Sequence, residues 1–196
     1  MRVIAMVLLA LIYSSALAQE GMYVGVGLGS FDYGEDLAFL APDRFDDTVS
    51  SSRIYGGFEI NENLAIEIRY GATGDFRQTF SEIDAFAGEV TATVRMDFTT
   101  TTAVALGMLP KDWGAFFGGL GYFDQDIDAD VEGMAECCGP FSGSASIGDD
   151  GLMAVFGVEW RFGRFGTGLG VRVEYEWLDV EDASGSTVGV GIAYRF

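Results

Sequence analysis

The stretch that decides the fold is residues 186–196, STVGVGIAYRF, which ends the chain. Valine, isoleucine and aromatic residues alternate there with glycine, alanine and arginine, and the last residue is Phe196. Because successive side chains of a β-strand point to opposite faces, one face is apolar and the other is small or charged. This pattern is typical of a strand in a transmembrane β-barrel, with lipid outside and side chains packed inside.

The start of the chain predicts export. Arg2 precedes a mostly apolar stretch, and Ala16-Leu17-Ala18 offers a small-residue cleavage site. These features are typical of a secretory signal peptide, which we assign to residues 1–18, with a single barrel domain over 19–196. No later stretch has the roughly 20 apolar residues that a membrane-spanning helix needs.

Composition supports a strand-rich chain and excludes some partners. The sequence has 28 glycines, 3 prolines and 14% aromatic residues, and its formal net charge is −19. Glycine-rich strands usually mark places where side chains are crowded. A strongly acidic chain is poorly suited to nucleic acid, and no motif points to a cofactor, so we expect neither.

Alternation recurs about every 20 residues and predicts an all-β fold, an eight-stranded antiparallel up-and-down transmembrane β-barrel. The predicted strands cover residues 21–30, 51–60, 64–71, 94–109, 114–123, 150–162, 169–178 and 186–196. Short connections (61–63, 110–113 and 163–168) alternate with longer ones (31–50, 72–93, 124–149 and 179–185). In a barrel of this kind the short turns and both termini face the periplasm, and the long loops are extracellular.

The two faces of these strands differ in charge. Residues that we assign to the lipid face include Val24, Ile54, Ile66, Val104, Leu106, Met108, Phe156, Val173 and Val190. The opposite face carries Arg53, Glu59, Glu67, Arg69, Arg95, Asp97, Glu159, Arg161, Arg172, Glu174, Glu176 and Arg195. A soluble barrel would expose the charged face instead, but the signal peptide and the aromatic residues near strand ends favour the membrane.

The charged face predicts an ion-paired lumen. Eight strands leave only enough space for side chains, so buried arginines and carboxylates must pair. Pairing Phe162 with Leu169 across a turn places Glu159 opposite Arg172, whereas a shift by two residues sets like charges together. We therefore predict the Glu159 and Arg172 pair. A narrow conducting pore for small solutes or cations is the alternative function of this lumen.

Catalysis and metal binding receive little support from the sequence. The chain has no histidine, the usual general base near neutral pH, so we expect no enzyme. Asp124, Asp126, Asp128 and Asp130 alternate in a predicted loop and could bind a divalent cation through their carboxylates. Solvated acidic loops are the simpler interpretation, and we predict no metal site.

Cys137 and Cys138 are adjacent in the same predicted loop. Outside the reducing cytoplasm they could form a vicinal disulfide, a redox-labile pair or bonds to another chain. The sequence leaves these alternatives open. A local clip without a further role is the simplest of them.

Several motifs carry a family resemblance. They are residues 23–29 (YVGVGLG), 55–58 (YGGF), 61–67 (NENLAIE), 157–162 (GVEWRF) and 194–196 (YRF). Together they resemble the small outer-membrane β-barrel proteins related to the OmpA transmembrane domain, OmpX and the opacity proteins. The resemblance implies an outer-membrane location and a structural, adhesive or minor channel role. It further implies that Tyr194 and Phe196 form a C-terminal signal for the barrel-assembly machinery, with membrane lipid as the other partner of a monomer.

Overall fold

The computed structural model describes residues 21–35, 48–84, 88–162, 168–180 and 183–196. The predicted signal peptide lies outside these residues. In the described part of the chain nine strands occur, and all pairings are antiparallel. They are β1 (Met22–Glu35), β2 (Thr48–Asn61), β3 (Leu64–Thr73), β4 (Phe76–Asp84), β5 (Gly88–Lys111), β6 (Gly114–Ala135), β7 (Gly139–Phe162), β8 (Gly168–Val180) and β9 (Ala183–Arg195).

The strands form one sheet whose two ends meet. Its order is β3-β2-β1-β9-β8-β7-β6-β5-β4, and β5 also pairs with β3. Eight strands, all except β4, therefore close a ring. Strand β4 follows β3 on the same side of β5 and pairs with an earlier part of that strand. The register changes between them, from Ala72 opposite Thr99 to Phe76 opposite Met96. The predicted all-β antiparallel architecture is confirmed, and the ninth strand arises from an interruption at residues 74–75.

Two predicted loops are strands. Residues 76–84 and 88–93 form a hairpin arm, and β6 and β7 continue as a long hairpin through the stretch predicted as loop 124–149. Alternation in these segments is carried by Asp, Ser, Thr and Gly rather than by large apolar residues. Because the prediction relied on apolar alternation, it ended these strands too early.

The ring exposes many large apolar side chains on its outside. Leu28 and Leu120, for example, are 72% and 74% exposed. By contrast, Glu67, Glu159 and Arg172 are at most 1% exposed inside the ring. Such an arrangement is unfavourable in water and favourable in a bilayer, where the outside of a barrel meets hydrocarbon. Among the described residues, no helix is long and apolar enough to cross a membrane.

Candidate functional site

The lumen contains a charge-balanced network of five arginines and five glutamates. The members are Arg53, Glu59, Glu67, Arg69, Glu159, Arg161, Arg172, Glu174, Glu176 and Arg195. All of them project inward. They come from β2 and β3 in the first half of the chain and from β7, β8 and β9 in the second half. Ten of the twelve predicted lumen residues are thus brought together. An isolated charge there would be costly, and the network leaves no excess of either sign.

The end of the network nearest the short turns is built on two arginines that share two glutamates. Arg161 contacts Glu59 through Nη2 at 2.8 Å and Glu159 through Nε at 3.0 Å. Arg195 contacts the same two carboxylates, at 3.0 Å to Glu59 and 2.5 Å to Glu159. Sharing carboxylates in this way joins β2, β7 and β9 across the lumen.

Arg172 forms the middle of the network. Its Nη1 lies 2.7 Å from Oε2 of Glu67, and its Nη2 lies 3.2 Å from Oε2 of Glu159. The hydroxyl of Tyr23 donates a 2.7 Å hydrogen bond to the same oxygen of Glu67. Glu159 is directly opposite Arg172, and Phe162 is opposite Leu169, so the predicted β7–β8 register is confirmed.

Arg53 and Arg69 complete the network towards the opposite end of the lumen. Arg53 contacts Glu174 at 2.8 Å and Glu176 at 2.6 Å. Arg69 lies 2.6 Å from Glu67 and 3.2 Å from Glu174, and it also contacts Glu176. The pairs therefore run without interruption along the lumen from Glu59 to Glu176.

Sequence reasoning missed an aromatic collar around Arg172. Its guanidinium carbon lies 4.8 Å from the ring centre of Tyr55, 4.7 Å from Phe117 and 5.6 Å from Tyr23. Such contacts stabilise a cation through the negative face of the ring. The sequence did indicate the inward position of Tyr23, because Tyr23 lies on the same face of β1 as Gly25, Gly27 and Gly29, which face the lumen.

The lumen glycines make room for these large side chains, as predicted. A Cβ atom on Gly27 would lie 2.9 Å from Nε of Arg53, and one on Gly191 would lie 2.9 Å from the hydroxyl of Tyr55. Both separations are closer than real Cβ contacts allow. The alternation of glycine with valine in β1 and β9 therefore follows from the size of what lies opposite.

The wall formed by β5 and β6 is mostly apolar inside, and this corrects one face assignment. Val104, Leu106 and Met108 were predicted to face lipid, but they are at most 4% exposed and point into the lumen. Glu67 lies opposite Val104, which fixes the parity of β5. The outward positions of β5 hold alanine and glycine instead, because small residues are also accepted in hydrocarbon. The larger side chains face the lumen, where they fill the space beside the glycines of β6.

The same parity error displaced two predicted lumen residues. Arg95 and Asp97 lie on the outer face of β5, in the part of the strand that pairs with β4 and the far end of β6. Arg95 contacts Asp75 at 3.2 Å, with both side chains about half exposed. Neither residue belongs to the lumen network.

A cluster of phenylalanines covers the Arg53 end of the network. Phe31, Phe76 and Phe98 have ring centres 5.2–6.1 Å apart, and each ring is buried. Between this cluster and Arg53 and Arg69 lies a cavity of about 60 Å³ that is also lined by Thr102. A space of this size holds only a few water molecules.

The outer face changes from apolar to acidic at a sharp boundary. Along β6, Phe116, Leu120 and Tyr122 are followed on the same face by Asp124, and along β7 Leu152 is followed by Asp150. Tyr122 contacts Asp150 across this boundary. The boundary matches the edge of the roughly 25 Å apolar band that outer-membrane barrels present to lipid.

Beyond the boundary, β4 to β7 continue as a four-stranded sheet, which we call the protruding sheet (residues 76–84, 88–98, 125–135 and 139–149). Its inner face is apolar, with Phe80, Val94, Met96 and Ile127 packed on the core. Its outer face on β6 carries Asp126, Asp128, Asp130 and Glu132. At ~3.3 Å per residue the sheet extends roughly 35 Å along the strands.

The four aspartates weighed above as a divalent-cation site lie along this acidic row and at its base. The four aspartates 124, 126, 128 and 130 alternate along the outer face of β6, as the sequence indicated. In the described part of the chain, no three acidic or cysteine side chains converge on a point that could hold a metal ion. The structure therefore gives the divalent-cation interpretation no geometric support.

Cys137 and Cys138 lie at the tip of the protruding sheet and form a disulfide with each other. They occupy the turn at residues 136–138 between β6 and β7. Gly139 follows with a φ of 85°, a left-handed conformation that glycine adopts without strain. Of the three alternatives that the sequence left open, the structure contains the vicinal disulfide.

The two C-terminal aromatic residues contact each other edge to face at the opposite end of the molecule. The rings of Tyr194 and Phe196 have centres 5.2 Å apart, and the amide of Phe196 donates to the carbonyl of Met22 at 3.0 Å. The last strand is therefore tied to the first.

Comparisons with known proteins agree with this architecture. The attachment invasion locus protein Ail of Yersinia pestis, solved with the heparin analogue sucrose octasulfate, is 17% identical, with a TM-score of 0.57 over 91% of this chain and 100% of Ail. Neisserial surface protein A is 15% identical, with a TM-score of 0.59 over 90% and 98%. OprG of Pseudomonas aeruginosa is 11% identical, with a TM-score of 0.51 over 91% and 98%.

At these identities the structural matches show the fold alone, and no curated protein matches the chain. A family model described as the outer membrane protein beta-barrel domain matches residues 3–196. That model spans the ring, the protruding sheet and the C-terminal strand. The chain belongs to the outer membrane protein β-barrel family.

Proposed function

We propose that this chain is a non-enzymatic surface-contact protein of the outer membrane. In this proposal the barrel is the rigid base, and the protruding sheet presents an acidic surface to cationic partners outside the cell. The observation that carries the proposal is the outer face of the protruding sheet. Two pairs of like charges lie directly opposite each other on this face and at its base, Asp97 with Asp128 in the sheet and Asp124 with Asp150 at the lipid boundary.

Like charges at directly opposite positions destabilise a sheet, so a structural role does not account for them. A cationic partner would relieve the repulsion. The same argument separates this chain from Ail, whose structure holds a polyanionic heparin analogue. An acidic face of this kind repels a polyanion, and we expect no heparin-like ligand here.

The test is binding of a polycation to the purified barrel in lipid nanodiscs. Polylysine should bind with an affinity that falls as salt rises, and sucrose octasulfate should not bind. A triple variant, Asp126→Asn with Asp128→Asn and Asp130→Asn, should lower polylysine affinity about tenfold if each exposed charge contributes about 0.5 kcal/mol. The matched control is Ser142→Ala with Ser144→Ala and Ser146→Ala on the same face of β7, which should bind normally.

In the same proposal the lumen is a closed structural core. The alternative, a narrow channel for small solutes or cations, requires ions to pass both the arginine–glutamate network and the phenylalanine cluster. Opening that path would separate buried ion pairs, which is strongly unfavourable. Recordings in planar bilayers should therefore show no steady conductance. Stable cation-selective steps whose size changes in an Arg53→Ala variant would favour the channel instead.

The remaining features of the proposal concern targeting. We propose that residues 1–18 direct export, and that both termini are periplasmic with the protruding sheet extracellular. The edge-to-face pair of Tyr194 and Phe196 at the end of the last strand supports a role as the signal read by the barrel-assembly machinery. A closed ring whose outer face is apolar up to a single boundary supports a monomer that contacts lipid on all sides.

A further inference from the structure

One edge of the protruding sheet has no described neighbour. Residues 139–151 of β7 pair with β6 on one side, whereas pairing with β8 begins only at Leu152 opposite Asp179. In the described part of the chain, the backbone N–H and C=O groups on that side of residues 139–148 have no strand to pair with. An edge of this length is enough to pair with a complete additional strand.

Most of this edge lacks the usual protection against strand addition. Natural edge strands carry charges, prolines or bulges that prevent pairing with other chains. Pro140 stands at the start of the edge and Asp149 and Asp150 near its base, but residues 141–148 between them carry neither a charge nor a proline. Gly143 and Gly148 have open space where a side chain would be. The other edge of the sheet, β4, does carry charges, at Arg77 and Glu82.

The two faces beside this edge differ in a way that defines an occupant. On the outer face, Ser142, Ser144 and Ser146 lie beside the acidic row of β6. On the inner face, Phe141 and Ile147 are exposed, at 41% and 58%. A strand added here would place alternate side chains next to carboxylates and next to apolar groups.

We propose that the β7 edge (residues 139–151) binds an extended peptide segment in which basic and apolar residues alternate. Its backbone extends the sheet by one strand, its basic side chains face the acidic row of β6, and its apolar side chains cover Phe141 and Ile147. This inference rests on the proposed function, because it names the class of cationic partner and the place where it binds.

A second copy of the chain fits the edge less well. Two copies in one membrane, related by rotation about the membrane normal, would bring their β7 edges together in parallel. Both would also carry an acidic outer face, so their sheets would repel each other. A cationic peptide has neither restriction.

The test uses the barrel in nanodiscs and three synthetic peptides of about nine residues, a usual strand length. One alternates Lys and Val, the second groups the same residues in two blocks, and the third alternates Glu and Val. The alternating cationic peptide should bind about tenfold more tightly than the block peptide and should slow amide exchange of residues 140–150 about tenfold. The acidic peptide should not bind. Amides of the free protein that already resist exchange would overturn the proposal, because the edge would then be occupied.

Proline variants locate the site. Neighbouring residues of an edge strand direct their N–H groups alternately towards β6 and away from it. One of the two variants Ser144→Pro and Ala145→Pro therefore removes a donor from the free edge while preserving the β6 pairing. The variant that preserves the β6 pairing should lose about tenfold in affinity for the alternating peptide. The control, Ser81→Pro on the β4 edge, should bind normally.

The outcomes separate the two levels of the argument. Equal binding of alternating and block peptides, unaffected by both β7 prolines, would overturn the edge site and leave the acidic contact surface intact. Absence of binding by polylysine and by both cationic peptides would overturn the edge site and the proposed function together. Dimers that form without peptide and disappear in the β7 proline variant would identify a second copy as the occupant instead.

Discussion

The embedded ring and the protruding sheet share strands but reverse the relation between charge and face. In the ring, charges point inward, balance each other and are buried. In the protruding sheet, β4 to β7 turn most of their charges outward, where they are predominantly negative and exposed. Strand parity does not change at Tyr122 and Asp124, so the solvent alone changes, from hydrocarbon to water. Charge therefore supports stability in one region and is available for contact in the other.

The largest expected effect comes from breaking the ring's network at its centre. Arg172→Ala leaves Glu67 and Glu159 without their shared partner and should lower the free energy of unfolding by about 3–5 kcal/mol. Urea titration of folded barrels in lipid vesicles measures this. Adding Glu67→Gln, which restores equal numbers of arginines and glutamates in the network, should recover part of the loss.

The matched variant in the protruding sheet is Arg95→Ala. Its contact with Asp75 is exposed, so the loss should stay below about 1 kcal/mol. Equal losses in the two variants would contradict the contrast between a buried and an exposed network.

The second prediction tests the corrected face of β5. Leu106→Ala should cost about 2–5 kcal/mol because it leaves a cavity in the lumen. Ala105→Leu, one residue away, should cost less than about 1 kcal/mol because its side chain enters hydrocarbon. The reverse order of losses in the same titration would restore the original assignment.

The third prediction concerns the lipid boundary of the ring. Val190→Arg should destabilise the barrel by about 2–4 kcal/mol if Val190 lies near the middle of the bilayer. Ser186→Arg, on the same face of β9 but at the boundary, should cost about 0–1 kcal/mol. Heat-modifiable gel mobility and urea titration both report the difference. Equal effects would mean that the boundary is misplaced.

How well the sequence predicts the faces and the register of a strand depends on which residue types occupy its two faces. Strand β9 was assigned to the correct faces because valine and isoleucine alternate with glycine. The β7–β8 register followed from charges at neighbouring positions, Glu159 and Arg172. Strand β5 was misassigned because both of its faces are uncharged in the ring, so size alone distinguishes Leu106 from Ala105. The rule that large apolar residues face lipid fails there.

The long-range ion pairs of the lumen and the protruding sheet could not be predicted from apolar alternation within single strands. Contacts such as Arg53 with Glu174 join strands far apart in sequence, and they depend on how the ring closes. The protruding sheet alternates Asp with Ile, Ala and Val, and its acidic residues were read as loop. Aspartate suits the outer face of a strand in water, just as leucine suits the outer face of a strand in lipid. Alternation of aspartate with apolar residues is therefore also a strand pattern.

The smallest expected effect concerns the tip of the protruding sheet. A disulfide stabilises mainly by restricting the unfolded chain, and the gain grows with the length of the loop that it closes. Cys137 and Cys138 are adjacent, so almost no loop is closed. Cys137→Ser with Cys138→Ser should therefore change the free energy of unfolding by less than about 0.5 kcal/mol. Dithiothreitol should have as little effect on the unfolding midpoint. A loss comparable to that of Arg172→Ala would mean that the tip supports the ring, and the separation between a stable base and a contact region would fail.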